Sequence, residues 1–241
     1  MKIIAAAVLL TASFTLQAQV ISWNLDNNGT VSGANQAGVV LAANWNNSWP
    51  ANPTVGLIDN SGAATTLDLA YASFNTWGIL GSHPGADANG SYNRELLNGY
   101  LNSGPAAWGP SITNSYVSLS QIPYSVYDIY VYFSSDVAAR DGSVSDSSTT
   151  YYFSTLGSAE ISDANAMFTQ TTDTLGTNPG ADYAIFTGLT GTSQTLTLNM
   201  LSGNDQWGGI AGFQVVATPE PGTMALTALG GLGLVLFRRR R

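Results

Sequence analysis

Between Tyr127 and Ser134 the chain reads Tyr-Asp-Ile-Tyr-Val-Tyr-Phe-Ser. Its β-branched and aromatic residues alternate with period two, which suits a pleated strand and gives a helix no coherent apolar stripe. The same pattern recurs at Val39–Ala43, Thr66–Leu69, Tyr116–Ser120, Thr150–Ser154, Tyr183–Thr187, Thr195–Met200 and Gly212–Val216. Turn signals separate these runs: Asn27-Asn28-Gly29, Asn60-Ser61-Gly62, Asp141-Gly142, Asn178-Pro179-Gly180 and Thr190-Gly191. Helical periodicity is confined to Asn93–Leu101, where Leu96, Leu97, Tyr100 and Leu101 share a side. Eight or more short strands imply an all-β fold, a β-sandwich with one short helix, over residues 19–217.

Charge then narrows the partners. Only 9% of the 241 residues are charged, against roughly 25% in an ordinary soluble domain. There is no Cys and one His, so disulfides, Cys-ligated metals and His-clustered zinc are excluded or strongly disfavoured. The seven basic residues are Lys2, Arg94, Arg140 and Arg238–Arg241. Residues 19–217 therefore set fourteen carboxylates against Arg94 and Arg140 alone. Such a body cannot neutralise phosphates, so nucleic acid is not a partner. Its polar surface is built from amides and hydroxyls, which suits hydrogen bonding to sugars; solubility of an exported protein would select the same composition.

The ends carry the most specific signals. Lys2, the apolar run from Ile3 to Leu10, and Ala18 before Gln19 form a secretory signal peptide over residues 1–18, directed to the Sec export machinery. At the other end Pro219-Glu220-Pro221 precedes an uncharged segment, 222–237, and then Arg238, Arg239, Arg240 and Arg241. Sixteen residues span only ~24 Å as a helix, short of the ~30 Å hydrocarbon core, so this is a marginal membrane stop. The arginines would hold its end in the cytoplasm.

This order of proline motif, short apolar helix and arginine cluster resembles the PEP-CTERM sorting signal, here over 218–241. The resemblance implies a Gram-negative bacterium that makes extracellular polysaccharide. It implies processing near Pro219–Pro221 by an exosortase, a transient inner-membrane intermediate, and delivery to the cell surface or extracellular matrix. Within the body, Ile122–Tyr132 and Ile210–Val216 resemble the central and last strands of galactose-binding-like jelly rolls. That similarity implies a jelly-roll sandwich of a kind used for carbohydrate binding.

Candidate body sites follow from side-chain chemistry. Trp45 and Trp49 fall in Asn44-Trp45-Asn46-Asn47-Ser48-Trp49-Pro50, expected to be a loop. With Asn46, Asn47 and Trp77 they form the expected sugar platform, aromatic faces stacking on a pyranose and amides bonding its hydroxyls. Trp45 and Trp77 could instead plug the ends of the sandwich. The stretch from Ser134 to Asp146 is oxygen-rich, so Asp136, Asp141 and Asp146 are candidate ligands for a structural Ca²⁺, the only cofactor considered; alternatively Arg140 pairs with Asp136 or Asp141. Arg94 and Glu95 are expected to be solvated or locally paired. Catalysis has little support: His83 is alone and no serine sits in a GxSxG elbow. The expectation is a non-enzymatic, exported polysaccharide-binding protein. A glycoside hydrolase or lyase, and a purely structural matrix protein, are the alternatives.

Overall fold

The computed structural model describes residues 18–25, 27, 29–48, 51–79, 85–103, 114–157, 167–201 and 207–218. The expected signal segment before Ala18 and the C-terminal helix at 222–237 lie outside these residues. The described chain is nearly all β, in two sheets.

One sheet is centred on β13 (Gly208–Ala217). On one side β13 pairs with β7 (Val126–Ser134), which in turn pairs with β11 (Tyr183–Thr190). On the other side it meets two strands in succession. Residues Gly208–Ile210 pair with β5 (Gly99–Ser103), which continues to the edge strand β4 (Asn75–Gly78). Residues Gly212–Val216 pair with β1 (Val20–Asn24), flanked by the two-residue β2 (Asn46–Asn47). The second sheet runs β10 (Gly180–Ala181), β9 (Thr150–Thr155), β8 (Asp141–Ser145), β12 (Ser193–Met200), β6 (Asn114–Ser120) and β3 (Asp68–Ala72).

The main core lies between the sheets. Tyr127, Ile129, Val131 and Phe133 of β7 point inward with Trp23, Phe213 and Val215, against Val117, Leu119, Val144, Phe153, Leu196 and Leu198 of the second sheet. Trp23 stacks on Phe213 with ring centroids 5.5 Å apart. Outward positions of the second sheet are mostly hydroxyls and amides, such as Tyr116, Ser118, Thr195, Thr197 and Asn199. Alternation in this sheet is the ordinary half-buried kind.

The first sheet departs from that pattern. Every residue of β1 and β5, and all of β13 except Ala217, is buried. Its outer face carries a second cluster, in which Tyr132, Tyr183 and Ala211 meet Val31, Ala37, Trp45, Leu96 and Leu97. The covering segment is pinned by Gln214, which is fully buried. Tyr132 donates its hydroxyl to Gln214 Oε1 at 2.6 Å and accepts from the Val39 N–H at 2.8 Å. Gln214 Nε2 donates to the Val40 carbonyl at 2.7 Å. Gly38, at φ 94°, makes room, since a Cβ there would lie 2.4 Å from Gln214 Oε1.

Three local expectations are corrected. Val39–Ala43 is not a strand; it turns, with only an Ala37–Ala42 bridge, because side chains of the sheet occupy its backbone groups. The expected helix over 93–101 is one short element, α1 (Asn93–Leu96). At Gly99 the chain enters β5, where a Cβ would lie 2.5 Å from the Leu25 carbonyl. Asp141-Gly142, read as a turn signal, instead opens β8 (Asp141–Ser145).

Removing the Gln214 pin should be costly, because its partners stay buried. Gln214→Leu is expected to lose about 1–3 kcal/mol in denaturant melts and to speed amide exchange at Val39 and Val40. Asp182 offers a pH test. Burial lifts its carboxyl to about 6, partly opposed by the Thr169 N–H. The folded state thus holds a proton that the unfolded chain releases near pH 4, so this residue's contribution to stability falls between about pH 4 and 6. Asp182→Asn should flatten that part of the stability–pH curve.

Candidate functional site

On the β4–β5 ribbon, strand register assembles a face that sequence spacing conceals. Asn75 stands opposite Asn102, and Trp77 opposite Tyr100. Residues two apart on a strand share a face, so these four lie together. Asn102 Nδ2 donates to Asn75 Oδ1 at 2.9 Å. The Asn27 amide, with its oxygen turned toward the ribbon, accepts from the N–H groups of Trp77 and Gly78 at 3.1 and 3.2 Å. The aromatic side of Trp77 is thereby left outside, 40% exposed.

Two other segments close the groove. Phe74, just before β4, stacks on Trp207, just before β13, with centroids 5.8 Å apart and planes 27° from parallel. The turn after β7 holds Trp207 by its carbonyl, which accepts from Ser135 Oγ at 2.7 Å and Arg140 Nη1 at 2.9 Å. The same Arg140 nitrogen lies 2.9 Å from Asp136 Oδ1. Tyr100, buried beneath, turns its hydroxyl toward that oxygen at 3.5 Å. Burial, then the Asp136 charge, push the Tyr100 phenol far above its ordinary range, so it remains a donor. Phe74, Asn75, Trp77, Tyr100, Asn102, Asp136 and Trp207 together line about 290 Å³. Its wall is three exposed or half-exposed aromatic rings beside two amides and a carboxylate, which is the chemistry of a polar ring with apolar faces.

A larger cleft of about 370 Å³ lies between Gln36–Leu41, Asn89–Asn93 and Phe168. Two of its polar groups are spent on the fold: Asn93 Oδ1 accepts from the Gly38 N–H, and Ser91 Oγ donates to Asp87. Arg94 also pairs with Asp87, as expected, but Glu95 is 5% exposed and not solvated.

The expected platform is corrected at its centre. Trp45 is 4% exposed, packs near Tyr132, and donates Nε1 to the Ala42 carbonyl. Asn46 bonds the Ser22 and Ile58 carbonyls and the Ile58 N–H. Asn47 bonds Val31 and Asn24. These amides stitch the 31–48 segment to β1 and are not offered to a ligand. Trp49, like Trp108 and His83, lies outside the described residues. Among the described members of the expected group only Trp77 faces the groove; of its companions, Phe74 is a near neighbour in sequence and Trp207 lies far along the chain. The Ser-Phe-Asn-Thr-Trp order of 73–77, placing aromatics three apart beside Asn75, was the available signal.

The acidic trio does not converge either. Asp136 is engaged by Arg140, and Asp141 opens β8. Asp146, at the other end of that strand, accepts from Ser148 Oγ and from the N–H groups of Ser148 and Thr149. Among the described residues no three His, Asp or Glu side chains gather to hold a metal.

At the opposite end of β13 the chain leaves the sheet abruptly. The Ala217 N–H donates to the Gln19 carbonyl at 2.9 Å, and the Thr218 N–H to the Val126 carbonyl at 3.0 Å. Pro219 follows at once. Residues 217–241 match the family model of the PEP-CTERM protein-sorting motif. The chain thus ends in an exosortase sorting signal, joined to its last core strand without a spacer. The signal implies export to the cell envelope or surface, with exosortase as processing partner. Pro219, Glu220, Pro221 and Arg238–Arg241 lie within the match and outside the described residues. Neither the curated proteins nor the solved structures gave a match to the chain. Among the described residues no helix is long and apolar enough to cross a membrane.

The junction can be tested by truncation. A chain ending at Thr218 keeps every bond of β13 and should melt within a few degrees of the full chain. One ending at Leu201 loses Ile210, Phe213 and Val215 from the core and should not fold, as judged by circular dichroism.

Proposed function

We propose that this is an exported, exosortase-processed surface or matrix protein whose body binds carbohydrate without catalysis. The observation that carries the reading is the groove of Phe74, Trp77 and Trp207 beside Asn75, Asn102 and Asp136. Aromatic faces accept the C–H face of a pyranose, while amide and carboxylate oxygens take its hydroxyls. Two packed, mainly antiparallel sheets are consistent with the jelly-roll resemblance of 19–217, and polysaccharide at the cell surface is a ligand that an exported chain would meet. The Sec-type signal at 1–18 and a transient inner-membrane intermediate belong to the same route.

Trp77→Ala is expected to weaken polysaccharide retention about tenfold, the scale of one lost aromatic contact, with little change in melting because the ring is on the surface. Trp45→Ala should instead lower stability by about 3–5 kcal/mol, as a buried Trp truncation does. Affinity electrophoresis and thermal melts separate the two. Unchanged retention in Trp77→Ala would remove the groove as the site. For sorting, mass spectrometry of the cell-surface protein should find a C-terminus lacking Arg238–Arg241.

A further inference from the structure

We propose that the groove selects glycans without acid groups: neutral hydroxylated polymers, and not uronate, sulfate or phosphate polysaccharides. This rests on the reading that the groove binds glycan. It goes further by naming the class through the hydrogen-bonding and charge inventory of the site.

A site for an anionic sugar needs a cation, and the forked guanidinium of Arg is the usual one. The body between Gln19 and Ala217 contains two basic residues, Arg94 and Arg140. Both are held by carboxylates of this same chain, Arg94 by Asp87 and Arg140 by Asp136 at 2.9 Å. Arg140 is further committed to Ser135 Oγ and the Trp207 carbonyl. The groove therefore contains the carboxylate of an internal pair and no uncommitted cation. A uronate arriving there would meet Asp136 first, at a body carrying fourteen carboxylates.

What the groove does offer is acceptors. Asn75, exposed on β4, has an Oδ1 that takes one hydrogen bond, from Asn102, and retains a second lone pair. Asp136, whose side chain is 36% exposed, adds carboxylate oxygens. Sugar hydroxyls donate to both, whereas a carboxylate or sulfate group only accepts and is repelled by Asp136.

The test compares polysaccharides of matched length on the full chain, purified in a detergent that has no sugar headgroup. Neutral glucan, galactan, mannan and xylan are set against polygalacturonate, alginate and dextran sulfate, at about 0.02 M and about 0.5 M NaCl, where screening differs most. At least one neutral polymer should be retained, about equally at both salt levels, and Trp77→Ala should weaken that retention about tenfold. The anionic polymers should be retained at least about tenfold less at low salt. Asp136→Asn releases Arg140 from its ion pair, and is expected to raise polygalacturonate retention about tenfold at low salt only; circular dichroism checks that this variant is folded. Stronger retention of an anionic polymer by the unaltered chain, sensitive to Trp77→Ala, would overturn the selectivity while leaving glycan binding in place. Retention of no polymer, or retention indifferent to Trp77→Ala, would overturn the groove reading beneath it.

Discussion

The double pairing of β13 is the constraint on which the rest depends. This strand contacts β7 along one side and both β5 and β1 along the other, and nine of its ten residues are buried. Opposite the switch from β5 to β1, the ladder with β7 breaks register at Ala211, between Ile210 and Gly212. A Cβ at Gly209 would lie 1.6 Å from the Leu101 carbonyl, and one at Gly212 would lie 2.5 Å from the Trp23 carbonyl. Both glycines therefore permit approaches that fix where β5 and β1 sit. The groove is one consequence, since β5 carries β4 and with it Trp77. The junction with the sorting signal is another, because the sheet's central strand ends at Ala217, with only Thr218 before Pro219.

Scarcity of charge takes on a structural explanation. The described carboxylates are largely spent inside the fold. Asp59, Asp146 and Asp173 each gather N–H groups of their own turns. For Asp59, burial works against ionisation, but bonds from Ser61 and Ala63 outweigh it and lower the pKa. Asp87 anchors the start of α1 through Ser91 Oγ and the Asn93 N–H. Acidic residues here are turn staples. That is why an Asp-rich stretch suggested a cation site that the side chains do not assemble.

Much of the β architecture was legible. β6, β7, β9, β11, β12 and β13 lie where alternation places them, because each has one face on the shared core. Of the strands that escaped notice, β2 and β10 have two residues, β1 is a short run beside the expected signal segment, and β4, β5 and β8 carry Asn, Gly and Ser. Those residues have weak intrinsic strand preference and pair only because neighbours hold them. The site was legible only at Trp77. Trp45 and Trp77 both follow Asn or Thr and stand in polar surroundings, yet one is core and the other surface. What separates them is the outer layer over the first sheet, which Tyr132 and Gln214 fasten down and which buries Trp45 while leaving Trp77 40% exposed.

The sequence by itself determined the class of the fold and the destination of the chain. Period-two patterning acts over a few neighbouring residues, and the sorting signal is a linear string, so neither needs distant partners. Tertiary structure alone decided which aromatics become surface. Phe74, Trp77 and Trp207 meet through strand register and a pair of turns, with Trp207 far along the chain from the other two. Only the folded sheet brings those rings together with Asn75, Asn102 and Asp136 in one groove.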